Sequence, residues 1–370
     1  MSRKHFLTGN ILTNAGWMRG RVSFGDHIES VQGRSAEPAD NQAPYIVPGF
    51  IDLHVHGGAG VDVMSGGEAL RELARHCARS GTTSFLATTL TATDTLLRRT
   101  LRELGAVCRE TVADGAVPLG IHLEGPYISP HRLGAQPDAA RPADLDEIDQ
   151  YRGLAPIRVL TLAPEVAANR DAIGALVQRG IRVQVGHSVG TYDETVVALD
   201  CGAKSFTHLF NAMSGMSHRD NGVVGAALAH ARYAEVIADL IHVEAGALRV
   251  ALRAIPRLYV VTDATAAAGM PDGQYTLGGQ RVCKADGAVR LEDGTLAGSA
   301  LTMDQALRNL VGIGMDLADA ARRLSTYPAE YVGLRDRGRI KKGAWADLVV
   351  LDRKLNVTAV IGQGVELWAH

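Results

Sequence analysis

The middle of this chain alternates apolar runs of strand length with segments whose apolar residues recur at helical spacing. The strand-like runs are Ile46–Val55, Thr83–Thr88, Pro118–Leu123, Arg158–Leu162, Arg182–Val185, Lys204–Leu209, Glu235–Ile241 and Leu258–Thr262. Eight strands that alternate with helices predict an α/β protein with a closed (β/α)8 barrel of the TIM type. The alternative is an open doubly wound sheet, which favours a G-x-G-x-x-G turn after its first strand. This chain has DLHVHGGAG there.

Both ends of the chain have a different pattern, with short strands separated by Gly and Asn turns, over Phe6–Gln32 and Asp347–Leu367. They predict one small β-sandwich domain formed by both termini. The alternative is that the two ends are unrelated additions to the barrel. We therefore expect residues 1–47 and 341–370 in the small domain and 48–340 in the barrel. The stretch around 274–298 is β-like and interrupts the last strand–helix pair, which predicts a β-hairpin insertion over the barrel mouth.

Charge and composition exclude several classes of protein. The chain has 38 Lys+Arg against 40 Asp+Glu, which gives no electrostatic footprint for nucleic acid. No apolar run approaches the ~20 residues that span a bilayer. The four cysteines are scattered and form no C-x-x-C pair, so neither a disulfide framework nor a thiolate zinc site is expected. We expect a cytoplasmic protein without nucleic-acid or membrane partners.

Histidines and acidic residues collect at the C-terminal ends of the predicted strands, the edge where barrel enzymes build their active sites. They are His54 and His56 on the first strand, then Glu124, His187, His208, His242 and Asp263 on later strands. One buried histidine alone is more often a hydrogen-bonded interior residue. A set of this size points to a bound cation, because burying so many titratable groups without a counter-charge is costly.

The spacing of His54 and His56 favours metal binding, since residues two apart on a strand share a face. Imidazole and carboxylate donors without thiolate suit zinc, iron or manganese in a catalytic site with open positions. A divalent metal lowers the pKa of a bound water and polarises a carbonyl. Asp263 is placed to take a proton and pass it to a leaving nitrogen, which is amide hydrolysis. Asp52 and His122 share inward faces but lie deeper, so we interpret them as interior or supporting groups.

Seven segments together carry a resemblance to a known family. They are PGFIDLHVHG (Pro48–Gly57), HLEGPYISPHRLGAQ (His122–Gln136), TLAPE (Thr161–Glu165), VGHS (Val185–Ser188), THLFNAM (Thr207–Met213), VTDATAAAG (Val261–Gly269) and LAGSALTM (Leu296–Met303). In this order the chain resembles the amidohydrolase superfamily, and within it the N-acetylglucosamine-6-phosphate deacetylases. The resemblance covers essentially the whole length.

The resemblance implies roles for the polar residues. Glu124, His187 and His208 match the primary metal ligands, and Asp263 matches the catalytic acid/base. His54 and His56 match a pair that, with Glu124 and Asp263, holds a second metal in some members. It therefore implies one or two divalent ions per subunit, with zinc as the first expectation and iron, manganese or cobalt as alternatives.

The resemblance also implies a sugar-phosphate substrate and a homodimer. The expected substrate-binding residues are Ala135, Gln136, Asn211, Ala212, Arg219, Asp239, His242, Leu296, Ala297 and Gly298. Among them, Arg219 and His242 match phosphate binders, and Arg219 is expected to reach in from a neighbouring subunit. Arginine suits a phosphate because its planar fork matches the dianion.

Two positions depart from the family pattern. Gln136 stands where some members have a histidine that polarises the acetyl carbonyl, so we hypothesise that the second metal takes over this task. Asp220 and Asn221 follow Arg219 where a proline-containing turn is more usual, which bears on how strictly a 6-phosphate is required.

The implied reaction is hydrolysis of N-acetylglucosamine 6-phosphate to glucosamine 6-phosphate and acetate, in amino-sugar breakdown. The alternatives are an N-acetylgalactosamine-6-phosphate deacetylase and an N-acyl amino acid deacetylase, and the sequence does not separate sugar epimers. A dihydroorotase-like enzyme is disfavoured because strand four, RVLTLAPE, has no lysine. A non-catalytic scaffold is disfavoured because every ligand is kept, and a barrel isomerase would not need the imidazole cluster.

Overall fold

A computed structural model describes residues 5–38, 41–110 and 112–369 of the chain. The strands are β1 (His5–Thr13), β2 (Gly16–Phe24), β3 (Ile28–Ser35), β4 (Tyr45–Pro48), β5 (Phe50–Val55), β6 (Gly57–Gly58), β7 (Val61–Asp62), β8 (Thr82–Thr89), β9 (Val117–Glu124), β10 (Ile157–Leu162), β11 (Arg182–Val185), β12 (Ser205–Phe206), β13 (Tyr233–Ile237), β14 (Arg257–Val261), β15 (Gly273–Leu277), β16 (Gln280–Ala285), β17 (Ala288–Arg290), β18 (Leu296–Ser299), β19 (Leu348–Leu351), β20 (Val357–Gly362) and β21 (Val365–Ala369).

The helices follow most of the central strands, as the alternating pattern predicts. They are α1 (Gly67–Arg79), α2 (Asp94–Val107), α3 (Leu145–Leu154), α4 (Ala167–Gln178), α5 (Tyr192–Asp200), α6 (Gly222–His230), α7 (Ala245–Ala254), α8 (Met303–Gly312), α9 (Leu317–Leu324) and α10 (Thr326–Tyr331). Helix α1 shows why they dock: Leu70, Leu73, Ala74 and Cys77 are buried at helical spacing, while charged residues take the outer face.

The central strands form a parallel barrel. Six strands are hydrogen-bonded in the order β12-β11-β10-β9-β8-β5, and β13 pairs with β14. Main-chain bonds join the two groups, from the Leu209 amide to the Glu235 carbonyl at 2.9 Å and from the Asp263 amide to the His54 carbonyl at 2.9 Å. The (β/α)8 barrel prediction is confirmed. All the strands carry their C-terminal ends to one rim, which is where the site must lie.

Three of the predicted strands differ from the observed ones by more than one residue at an end. The first run, predicted as Ile46–Val55, splits into β4 and β5 at Gly49, whose amide bonds the Asp347 carbonyl at 2.9 Å. The seventh strand ends at Ile237 rather than Ile241, because the Asp239 carboxylate accepts hydrogen bonds from the next turn. The sixth is only Ser205–Phe206, because the backbone leaves strand geometry at His208.

The two termini form one small β domain, as predicted. Its strands belong to a single continuous sheet of order β21-β20-β19-β4-β1-β2-β3, rather than to the two sheets of the predicted sandwich. Successive side chains along its strands point to opposite faces of the sheet and pack into two different hydrophobic clusters. Ile46 and Leu348 point into a small cluster of the domain's own, whereas Val47 and Val349 join the large cluster of the barrel. The proposed bounds of this domain, 1–47 and 341–370, include residues 1–4, 39–40 and 370, which lie outside the described residues.

The insertion before α8 has four antiparallel strands, β15 to β18, where the sequence predicted a hairpin. Several hydrogen bonds tie it to the barrel rim. The Gly278 amide donates to Asp62 Oδ2 at 2.8 Å, and Gln280 Nε2 donates to the Ala135 carbonyl at 2.7 Å. The inserted sheet therefore forms one wall of the barrel mouth. No helix within the described ranges has the length and apolar character needed to cross a membrane.

Candidate active site and metal centre

The polar residues predicted at the strand ends converge at one rim of the barrel. Glu124 is the last residue of β9, and His187, His208 and Asp263 lie two residues beyond β11, β12 and β14. These last three residues have positive φ angles of 48°, 31° and 50°. Non-glycine residues adopt this region at a cost of about 1–3 kcal/mol each, and such strain collects at functional sites. The turns aim the three side chains across the rim.

Glu124, His187 and His208 form the first of two clusters, which we call cluster A. Glu124 Oε1 is 3.1 Å from His187 Nε2 and 3.0 Å from His208 Nε2. The two ring nitrogens are themselves 3.0 Å apart. All three side chains are buried, so three donor atoms from three strands surround one small volume.

His54, His56 and Asp263 form cluster B on the other side of Glu124. His54 Nε2 and His56 Nε2 are 3.1 Å apart, and they lie 3.4 and 3.2 Å from Asp263 Oδ1. The same nitrogens lie 3.5 and 3.2 Å from Glu124 Oε2. The Glu124 carboxylate therefore presents one oxygen to each cluster.

In three of the histidines, the hydrogen bond made by Nδ1 determines which tautomer the ring adopts. Nδ1 of His54, His56 and His187 faces an acceptor, namely the Glu235 carboxylate at 3.0 Å, the Thr88 carbonyl at 3.0 Å and the Arg132 carbonyl at 2.8 Å. A proton on each Nδ1 leaves a lone pair on each Nε2. Within the described part of the chain, His208 Nδ1 is buried without a hydrogen-bond partner.

These residues fit a divalent cation in both clusters. Nitrogen lone pairs and carboxylate oxygens face one another at 3.0–3.5 Å, an arrangement of acceptors that repels unless a cation or proton lies between them. Among the described residues, the ion-pair partners of Glu124 and Asp263 are histidines only. Imidazole and carboxylate without thiolate are donors for zinc, iron or manganese.

The carboxylates of Glu124 and Asp263 are ionised in this setting. Burial acts to raise the pKa of each carboxyl group, but the facing histidines outweigh burial and lower both pKa values. Asp263 lies at the base of the cavity described below, so its ionised carboxylate can accept a proton there.

Gln136, a predicted substrate-binding residue, also bonds to cluster A and to the backbone. Its Nε2 donates to Glu124 Oε2 at 2.6 Å, and its Oε1 accepts from the Thr91 amide at 2.7 Å. The amide group is thus held between the backbone and a cluster carboxylate. It lines the cavity with one of the two hydrogens on Nε2 engaged by Glu124.

Asp52 and His122 lie in the barrel interior, as expected for deeper groups. Asp52 Oδ1 accepts from the amides of His54 and Thr262, each at 3.2 Å, and Oδ2 accepts from the Thr262 hydroxyl at 2.6 Å. Asp52 thereby joins β5 to β14, and burial raises its pKa to about 6. Burial lowers the pKa of His122 to about 4, so this ring is neutral.

A cavity of about 310 Å³ opens from the clusters toward the inserted sheet. Of the predicted substrate-binding residues, Ala135, Gln136, Asn211, Ala212, His242, Leu296 and Gly298 line it. Arg219, Asp239 and Ala297 do not: Arg219 is exposed outside the cavity, Ala297 is fully buried, and Asp239 lies behind His242.

His242 reaches the cavity from the turn after β13. Its Nδ1 donates to Asp239 Oδ2 at 2.6 Å, and Asp239 Oδ1 accepts from the His242 amide at 2.8 Å. Burial acts to raise the pKa of Asp239, but the bonds from His242 outweigh it and lower that pKa. Asp239 therefore fixes the orientation of the His242 ring.

Sequence reasoning missed several residues that line the cavity. His131 and Arg132 line the cavity but are not among the predicted substrate-binding residues, although both fall inside the segment HLEGPYISPHRLGAQ that carries the resemblance. Leu277 and Thr295 belong to the insertion, and no feature of the sequence predicts that their side chains line the cavity. Glu235 was missed as the acidic partner of His54, because it sits within a strand, away from every quoted motif.

Comparison with known proteins agrees with this architecture. The model of the amidohydrolase family matches residues 45–367. N-acetylgalactosamine-6-phosphate deacetylase of Escherichia coli O157:H7 is 39% identical over 365 residues, which cover 96% of this chain and 96% of the relative. N-acetylglucosamine-6-phosphate deacetylase of Lysinibacillus sphaericus is 37% identical, covering 94% of this chain and 92% of the relative.

A solved structure has the same fold over the whole chain. It is an N-acetyl-D-glucosamine-6-phosphate deacetylase mutant from Mycobacterium smegmatis in complex with N-acetyl-D-glucosamine-6-phosphate. The TM-score is 0.90 at 34% identity, and the match covers 98% of this chain and 99% of that one. The resemblance seen in the sequence is confirmed, and a divalent metal is the cofactor that the family implies. The chain belongs to the amidohydrolase family.

Proposed function

We propose that the chain is a metal-dependent deacetylase that hydrolyses N-acetylglucosamine 6-phosphate to glucosamine 6-phosphate and acetate. The observation that carries the proposal is the convergence of cluster A, cluster B and Asp263 at the base of one cavity. The names of the relatives support the substrate class. A phosphorylated sugar does not cross membranes unaided, so we infer a cytoplasmic enzyme.

Two divalent ions per chain are proposed, one for each cluster. The support is that the two oxygens of Glu124 face separate histidine pairs. Cluster A would hold the primary ion through Glu124, His187 and His208. Cluster B would hold the second ion. Zinc is the first choice, and iron, manganese and cobalt suit the same donors.

When bound, the cations would supply Lewis-acid chemistry, which lowers the pKa of water and polarises a carbonyl. Asp263 accepts one proton from the attacking water and donates it to the leaving nitrogen of the 2-acetamido group. The water oxygen adds to the acetyl carbon, and the carbon–nitrogen bond breaks. Donating the proton returns Asp263 to its carboxylate form, and the second proton of the water is released when the acetic acid product ionises to acetate.

Polarisation of the acetyl carbonyl would be supplied chiefly by the bound cations. One hydrogen of Gln136 Nε2 is engaged by Glu124 at 2.6 Å. The other can donate one neutral hydrogen bond, and an amide cannot carry the charge that a protonated histidine would supply at this position. This supports the hypothesis that the cluster B ion takes over the task.

The phosphate would be bound at the cavity mouth, away from the clusters. His242, oriented by Asp239, lines that part of the cavity, and the same cavity carries Arg132. Arg219 is exposed and has no side-chain partner among the described residues. We propose that Arg219 enters the site of a second copy in a homodimer, where its guanidinium would bind the dianion.

Acetate release tests the proposed function. The substrates are N-acetylglucosamine 6-phosphate, its galacto epimer, the unphosphorylated sugar and an N-acyl amino acid, with metal analysis of the same sample. We expect the phosphorylated sugars to be hydrolysed far faster than the other two. Equal turnover of the unphosphorylated sugar, or preference for the amino acid, would contradict the proposal.

The galacto epimer is the second candidate substrate. It is favoured by the Escherichia coli relative, which is named for N-acetylgalactosamine 6-phosphate and is 39% identical. One hydroxyl contact separates the two epimers, so the ratio of their kcat/KM values decides between them.

Asp263→Asn tests the assignment of the proton carrier. We expect turnover to be abolished with metal content nearly intact, because an amide still offers an oxygen to the ion but cannot accept the proton. Asp171→Asn on the exposed face of α4 is the matched control and should leave turnover unchanged. Loss of metal from Asp263→Asn would instead make Asp263 chiefly a ligand.

A further inference from the structure

Glu235 is a fully buried carboxylate inside the barrel, at the centre of β13. Its Oε2 lies 3.0 Å from His54 Nδ1 and 3.4 Å from the His208 amide. Its Oε1 accepts from Gln184 Nε2 at 2.9 Å and from the Tyr259 hydroxyl at 3.3 Å. Every partner donates, so this site requires the ionised carboxylate.

The contact with His54 selects one tautomer of that ring. A carboxylate can only accept, so the proton resides on Nδ1 of His54. The Nε2 atom then carries its lone pair toward His56 Nε2 at 3.1 Å and Asp263 Oδ1 at 3.4 Å. The neighbouring His122 lies beside the other Glu235 oxygen, with its Nδ1 4.0 Å from Oε1. That Nδ1 donates to the Leu53 carbonyl at 3.1 Å, so His122 does not compete with His54 for Oε2.

Glu235 contacts a ring of cluster B but no ring of cluster A. Of the two clusters, His54 belongs to cluster B alone, and its Nδ1 edge forms a further group of possible ligands with His122 and Glu235. The ring of His187 is oriented by the Arg132 carbonyl, and the ring of His208 has no partner on Nδ1 among the described residues. Within the described ranges, the Glu235 side chain reaches cluster A through the longer main-chain bond from His208 at 3.4 Å.

We propose that Glu235 is the positioning residue that makes His54 a metal ligand, and that it thereby decides whether the chain holds a second ion. The inference rests on the two-ion part of the proposed function. Partners that orient a metal-binding histidine typically change metal affinity about 10- to 100-fold when they are replaced. That loss should fall on the cluster B ion alone.

Glu235→Gln is the test variant. Glutamine has the same shape, but its amide nitrogen must face one of the four donors that now point at the carboxylate. If it faces His54, the ring loses its acceptor, and the proton is free to move to Nε2. Tyr259→Phe is the matched control. Tyr259 is as buried as Glu235, and the change removes its hydrogen bond to Glu235 while the bond between Glu235 and His54 stays in place.

The measurement is metal content against free Zn²⁺, with purified protein equilibrated in zinc buffers of graded concentration. We expect two binding steps in the wild type and in Tyr259→Phe. In Glu235→Gln, the second step should weaken about 10- to 100-fold, and the first should stay within about threefold of wild type. If Glu235→Gln does not fold, Glu235→Asp keeps the charge at a longer distance and should weaken the same step less.

Two results would overturn the proposal. Equal weakening of both steps would make Glu235 a support of the whole barrel, and two unchanged steps would leave it without a role in metal binding. A wild type that saturates at one ion would refute the two-ion proposal itself. Because no substrate is present, failure of the proposed deacetylation would leave this test unaffected.

Discussion

Replacing Asp52 with Asn should make the stability difference between variant and wild type depend on pH. The Asp52 carboxyl group is fully buried between β5 and β14, and burial raises its pKa from 3.8 to about 6. A carboxyl group whose pKa is higher in the folded state stabilises the fold most at low pH. That contribution is lost as the pH rises through 6, because the folded state must then bury a charge.

The size of the effect follows from the two pKa values. With 3.8 unfolded and about 6 folded, the wild type loses about 1.3 kcal/mol between pH 5 and pH 7. Asparagine keeps the acceptor for the amides of His54 and Thr262 and carries no charge. The stability of Asp52→Asn relative to wild type should therefore rise by about 1.3 kcal/mol over the same interval.

Urea unfolding at pH 5 and pH 7 measures this difference, with a chelator present so that metal release does not contribute. Both proteins should be measured in the same buffers, so that the titration of all other groups cancels. A difference that stays constant between the two pH values would refute the reasoning. A change of opposite sign would mean that the hydrogen bonds to Asp52 outweigh its burial.

Three further changes test the site. His54→Ala with His56→Ala should lower kcat for acetate release by about 100-fold or more, since oriented cations supply several kcal/mol; near-full activity would exclude a catalytic role for the cluster B ion. Arg219→Ala should raise KM for the phosphorylated sugar about 10- to 100-fold, with no effect on the unphosphorylated sugar, whereas an equal effect on both would remove Arg219 from the phosphate site. Gly298→Ala would place a Cβ 2.8 Å from the Asp263 carbonyl oxygen at a φ of +60°, so kcat should fall about 100-fold with unchanged metal content, and wild-type kcat would show that the backbone can yield there.

The strand-end ligands could be predicted because two rules act together. Parallel strands bring their C-terminal ends to one rim, and residues two apart on a strand share a face, so His54, His56 and Glu124 had to meet. The sheet of the insertion was predicted only in part. Three glycine-containing turns, which include Gly278-Gly279, Asp286-Gly287 and Asp293-Gly294, separate its strands. The insertion therefore has four strands rather than the two of a hairpin.

What the sequence did not predict depends on contacts between distant segments. The sequence predicts that Gln136 binds substrate. It does not predict that Gln136 Nε2 donates to Glu124 or that its Oε1 accepts from the Thr91 amide. Glu235 has no motif around it, and its partners come from β5, β11 and β14. Such pairings arise only when the barrel closes, because no local propensity or spacing encodes them.

The most direct measurement is anomalous X-ray scattering from crystals of the metal-loaded protein, recorded on both sides of the metal absorption edge. We predict two peaks per chain, one bounded by Glu124 Oε1, His187 and His208, and one bounded by Glu124 Oε2, His54, His56 and Asp263. Two peaks would leave Glu124 as the carboxylate shared between the ions. No peak against Glu124, His187 and His208 would contradict the metal-dependent mechanism, and a peak there alone would contradict the two-ion site.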